Sequence, residues 1–124
     1  MSFAILRQGD SLVAVVEEDL SDHEIIGLRD ELAERVGSDR IRGVVIDVSA
    51  LDVIDSFVAR SLQSIARIAQ LRGAATVVAG FQPEVALAMV QFRLDLDPLR
   101  PALDLDEALA LLRVADGPDR HDGR

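Results

Sequence analysis

The sequence predicts a single α/β domain: an N-terminal β-hairpin, then alternating helices and strands, with a mostly parallel sheet packed against helices. Three observations carry this. Short runs of Val, Ile and Ala alternate with segments of helical periodicity. The chain has 124 residues, enough for one domain that buries roughly two thirds of its unfolded surface. Apolar residues make up 49%, with four Phe and no Trp or Tyr, the aliphatic composition of a sheet covered on both faces.

Taken in order, residues 3–6 and 12–16 are apolar runs around Gln8-Gly9-Asp10, a hairpin signal. Ser21 and Glu24 then fit a capping box, with Leu20 and Ile25 placed for a hydrophobic staple. Ile25, Leu28, Leu32 and Val36 follow at helical spacing, and Gly37 suits the residue after the helix. Residues 43–48, GVVIDV, form the clearest strand, rich in β-branched residues and suited to the centre of a parallel sheet. A short connection leads to a second helix starting at Asp55 or Ser56. Its expected inner face is Val58, Leu62, Ile65 and Ala69, with Arg60, Arg67 and Arg72 outside and Gly73 closing it. Residues 74–79 make another strand. Pro83 suits the first position of a third helix, with Ala86, Met89 and Val90 expected to face the core. A short strand near 99–103 precedes Asp104 and Glu107, a second capping-box pair, and a helix with Ala108, Leu109 and Leu112 inward. The domain is expected to span 1–114, and the polar ADGPDRHDGR of 115–124 to be a disordered tail.

Composition excludes several chemistries. There is no Cys, so no disulfide or thiolate site. All 13 basic residues are Arg, so neither a P-loop lysine nor a Schiff-base lysine exists. The net charge of −9 repels phosphate backbones and anionic lipid, which argues against nucleic acid and membrane partners. No apolar run approaches the roughly 20 residues of a bilayer span. MSFAILRQGD does not read as a secretory signal, and a cytoplasmic location is expected. A serine hydrolase needs a base beside its nucleophile, yet no His lies near Ser56 in sequence and G-x-S-x-G is missing. His23 fits a solvated first helical turn, and His121 lies in the tail. Receiver domains share this size and alternation but rely on a lysine, which this chain lacks. Asp47, Asp52 and Asp55 could invite a hard cation. Each also has a simpler use, at a strand end, in a turn and as an N-cap. No cofactor or metal is expected, and the chain reads as no enzyme.

Ser56 is the residue with a physical case for function. It falls after the central strand, on the rim where sites in parallel sheets lie. A hydroxyl in the first turn of a helix sits at the positive end of the helix dipole, so a phosphate there is tolerated while adding about −1.5 to −2 charges.

The stretch VVIDVSALDVIDSFVARSL, residues 44–62, resembles the signature segment of STAS domains. The likeness extends over AGFQPEVA, residues 79–86, and ALDLDEAL, residues 102–109. Within that family, Ile54-Asp55-Ser56-Phe57 is most similar to the small stressosome scaffold type. The sporulation-type anti-sigma-factor antagonists instead carry a Gly-rich helix start, which Phe57-Val58-Ala59 does not match. The resemblance implies a STAS fold and a non-enzymatic scaffold that sequesters a GHKL-type serine kinase and releases it when phosphorylated on Ser56. It further implies co-assembly with a larger STAS paralogue bearing a sensory N-terminal domain, and a cognate phosphatase that resets the serine in a bacterial stress or signalling pathway. A second phosphorylation position of the larger paralogues is Ala79 here and has no hydroxyl. Asp55, Phe57, Gln82, Pro83 and Glu84 become candidates for partner contact, each with an alternative role as cap, core filler or helix start. Two other readings stay open: a non-phosphorylated STAS module binding a nucleotide or lipid, and another antagonist binding an anti-sigma kinase.

Overall fold

The computed structural model describes residues 3–18, 20–38, 40–91 and 97–122, with side chains through residue 113 apart from 86 and 88–90. Strands β1 (Phe3–Gln8) and β2 (Ser11–Val16) form the expected hairpin, pairing antiparallel with Gln8 opposite Ser11. Gly9 turns it at φ 63°, supplying the first-position glycine of a two-residue hairpin turn. Helix α1 (Asp22–Ser38), β3 (Gly43–Asp47), α2 (Ser56–Leu71), β4 (Ala75–Ala79), α3 (Pro83–Gln91), β5 (Arg100–Ala102) and α4 (Leu105–Asp122) follow. The five strands lie in sequence order, and every pair after the hairpin is parallel.

That order explains the layers. Sequential parallel strands joined by right-handed crossovers put their connecting helices on one face. Leu28 and Leu32 of α1, Leu62 and Ile65 of α2 and Val85 of α3 join one buried cluster with Leu12, Val44, Ile46 and Val78. The opposite face, built on Val13, Val45, Val77 and Ala102, is closed by Ala108 and Leu112 of α4. A single helix cannot cover five strands. Ala4, Leu6 and Val15 on the hairpin half of that face remain exposed.

The helix ends are set by local chemistry. Ser21 Oγ accepts from the Glu24 N–H at 3.2 Å, and Glu24 Oε1 accepts from the Ser21 N–H at 3.0 Å, the reciprocal box expected. Before α4, Asp104 accepts from the Glu107 N–H at 2.9 Å, while Glu107 reaches Leu103 N–H at 2.7 Å, one residue further back than a standard box. Helix α2 ends in a Schellman motif. Gly73 N–H donates to Gln70 O at 3.1 Å, Ala74 N–H to Ala69 O at 2.9 Å, and Gly73 holds φ 88°.

Two expectations are corrected. Gly37 does not follow α1 but lies within it, and the left-handed residue beyond the helix is Arg40, φ 57°. A Cβ at Gly37 would meet only the end of the flexible, exposed Arg72 side chain, which can move aside. The buried residues of α2 are Ala59, Leu62, Ile65, Ala66 and Ala69, with Val58 only half-buried. The backbone of α4 is helical as far as Asp122. The side chains of Ala86, Met89, Val90 and His121 lie outside the described residues.

Gly73→Ala is expected to lower stability by about 1 kcal/mol, because a Cβ disfavours the left-handed conformation the motif needs. A urea denaturation midpoint unchanged from the parent would contradict this.

Candidate functional site

The carboxyl ends of β3 and β4 bring two connections together on one rim. The first, residues 48–55, is anchored from below: Leu51 and Ile54 are buried, and Val48 N–H donates to Ala79 O at 2.9 Å. Asp47 Oδ1 accepts from both the backbone N–H and the hydroxyl of Ser49, at 2.9 and 2.7 Å. The second connection crosses it closely. Gly80, φ 86°, passes so near Ser49 that a Cβ would stand 2.8 Å from the Ser49 Cβ. Gln82 then closes the contact, its amide donating to Ser49 O at 3.0 Å and Asp52 Oδ1 at 3.3 Å.

Asp55 ends the first connection in extended backbone, φ −84° and ψ 178°, and its carboxylate accepts from the Val58 N–H at 2.8 Å. This is an N-cap, and it decides the state of its neighbour. Ser56 is the first residue of α2, exposed, and its hydroxyl has no hydrogen bond among the described residues. Ser and Asp are both good caps; with Asp55 in that position, the serine hydroxyl is left over. Flanking it are two apolar side chains open to solvent, Val53 at 75% and Phe57 at 37% exposure. One turn on, Arg60 Nε donates to the Ser56 carbonyl at 3.3 Å.

The candidates therefore separate. Ser56, Asp55 and Phe57 share the start of α2, and Gln82 lies beside them through Asp52. Pro83 and Glu84 are exposed at the start of α3. Asp55 and Gln82 have structural work whether or not a partner touches them. Asp47, Asp52 and Asp55 are each engaged in a different direction, and no group of three metal-ligating side chains occurs among the described residues. His23, exposed in the first turn of α1, makes no hydrogen bond to Ser56 among the described residues. Sequence reasoning missed the exposed Val53, the bridging role of Gln82 and the hydrogen bond from Arg60 back to the Ser56 carbonyl. Only Gln82 left a trace, in the Gly80-x-Gln82-Pro83 spacing. A groove of about 500 Å³ lined by Gly9, Asp10, Ser11, Arg42, Gly43 and Leu112 lies at the amino ends of β2 and β3, the opposite edge.

Residues 3–108 match the family model of the STAS domain. The chain belongs to the STAS-domain family. It is similar to a solved serine-to-glutamate variant of RsbS from Moorella thermoacetica, with 36% identity, a TM-score of 0.80, and 93% of this chain and 97% of that one covered. A chain in the solved molecular architecture of the stressosome, a signal integration and transduction hub, is 38% identical with a TM-score of 0.77, over 92% of this chain and 99% of that one. The RsbT co-antagonist protein RsbRD of Bacillus subtilis (strain 168) is 23% identical over 105 residues, 85% of this chain. This chain spans 37% of the length of that protein. The anti-sigma factor antagonist SpoIIAA shares the STAS fold at 16% identity and a TM-score of 0.66. No helix among the described residues of this STAS protein is long and apolar enough to cross a membrane.

Asp55→Ala is expected to cost about 1 kcal/mol of stability, and Asp55→Ser much less, because serine can still accept at the cap. Equal losses for the two, measured by urea unfolding, would contradict the capping role. Gln82→Ala is expected to speed hydrogen exchange of the Leu51 amide, which donates to Val48 O at 2.9 Å inside the connection Gln82 braces. An unchanged rate would show that Gln82 does not hold the rim.

Proposed function

We propose that this STAS protein is a non-enzymatic, cytoplasmic stressosome-type scaffold, an antagonist that holds a serine kinase of the GHKL class. Phosphorylation of Ser56 releases the kinase. The observation that carries this reading is the uncommitted hydroxyl of Ser56, standing exposed between Val53 and Phe57 on a braced rim. A partner gains affinity by covering those two apolar side chains. It then meets a new dianion at the centre of its contact once the serine is modified. Asp55 and Phe57 beside Ser56, and Gln82, Pro83 and Glu84 on the neighbouring connection and start of α3, are assigned here to the docking surface.

The likeness to RsbS and to a chain of the stressosome architecture supports the same reading. So does the RsbT co-antagonist name of RsbRD, which also motivates a larger STAS paralogue with a sensory N-terminal domain as co-assembly partner. A cognate phosphatase completes the cycle by returning Ser56 to the holding state.

Ser56→Asp is expected to weaken capture of the co-expressed kinase by at least about tenfold, equivalent to 1.4 kcal/mol, while Ser56→Ala retains it. Both variants should unfold at the same urea concentration as the parent to within about 0.5 kcal/mol, since an exposed side chain is changed. Equal capture by the Asp and parent proteins, or no Ser56 phosphopeptide by mass spectrometry after co-expression, would overturn the proposal.

A further inference from the structure

Resting on the reading of Ser56 as a modified serine, we infer that Arg60 is the intramolecular partner of its phosphate. Residues four apart on a helix share a face, and a long side chain leans toward the helix N-terminus. Arg60 already does so. Its Nε donates to the Ser56 carbonyl at 3.3 Å, bringing the guanidinium over the first turn. That carbonyl is also the ordinary acceptor of the backbone N–H of residue 60, and 3.3 Å is long for an N–H···O bond. The contact is weak and easily exchanged.

The neighbouring acids do not hold the guanidinium. Asp55 is turned to the Val58 N–H and Asp52 to Gln82, and Arg60 makes no ion pair among the described residues. Phosphorylation would place a dianion one turn from this cation. The planar fork of arginine offers two parallel N–H donors to phosphate oxygens, which a lysine could not match. The pairing fixes the phosphate against the first turn of α2 instead of leaving it to swing in solvent. It also keeps the phosphate doubly charged at neutral pH despite the adjacent carboxylates, which would otherwise favour its protonation. Arg60 is thus a positioning residue that determines the charge and direction an approaching partner encounters.

The test installs phosphoserine at position 56 during translation and follows the phosphate by ³¹P NMR titration in the whole chain. The second pKa of phosphoserine is ordinarily about 6. Arg60→Gln is expected to raise it by about 0.2–0.4 pH unit relative to the parent, the size of an exposed i, i+4 ion pair. Arg67→Gln changes the net charge equally but lies about three turns from Ser56 along α2 and is exposed. With a Debye length of about 8 Å, it should leave the value within about 0.1 of the parent. The difference between the two variants should largely vanish at 1 M NaCl. Indistinguishable titrations for Arg60→Gln and Arg67→Gln, or a difference that survives high salt, would overturn the pairing. Because the phosphoserine is supplied without a kinase, this outcome is independent of whether a kinase modifies Ser56, which phosphopeptide analysis reads separately.

Discussion

Level parallel pairing of β2, β3 and β4 is the constraint on which the rest of this domain depends. Val13, Val45 and Val77 stand in one row, and Ala14, Ile46 and Val78 in the next. Successive residues point to opposite faces, so both faces of this sheet are apolar and both must be covered. The crossover helices cover one face, and α4 covers the other except on its hairpin half, where Ala4, Leu6 and Val15 stay exposed. The same level register ends the strands together, with Val15 beside Asp47 and Asp47 beside Ala79. Both connections that build the rim therefore leave the sheet at the same height and must pass each other. Gly80 is what lets them do so without collision.

The rim that results is a fixed frame around one free group. Its carboxylates and amides are occupied: Asp47 with Ser49, Asp52 with Gln82, Asp55 with the end of α2. Leu51 and Ile54 tie the connection to the core. Against that frame, the Ser56 hydroxyl has no structural duty, because Asp55 has taken the cap. A side chain bonded into a cap would have to be released before it could be modified. This one can be reached without loosening the helix start.

What could be read in advance follows the range of the interaction. Both capping boxes and the Gly73 helix end were legible because each is settled within about five residues of chain. The strands were legible because β-branched runs bounded by Gly have few alternatives. Gly37 was misread because α1 continues past it to Ser38, and the left-handed residue beyond the helix is Arg40. The inner face of α2 was nearly right but favoured Val58 over Ala59 and Ala66, since alanine contributes little to a hydrophobic pattern even when fully buried. Gln82 bridges to a residue 33 positions earlier, a contact no local pattern encodes. At the rim, Ser56 and Asp55 were separable only once the backbone showed which of two adjacent capping residues occupies the cap.

The energetic asymmetry of position 56 is what suits it to switching. In the isolated domain, negative charge at a helix N-terminus is favourable by about 0.3–1 kcal/mol, offsetting repulsion from the nearby acids. Modification there should leave the fold nearly unchanged. Beneath a docked partner the balance reverses. Water is excluded, the dianion loses its solvation, and juxtaposed like charge costs several kcal/mol. An overall charge of −9 selects for partners that approach with complementary or neutral surfaces. The apolar pair Val53 and Phe57 supplies attraction that ignores charge entirely. In the proposed cycle, binding would rest on a term phosphorylation cannot strengthen, and release on a term the unmodified serine does not contain.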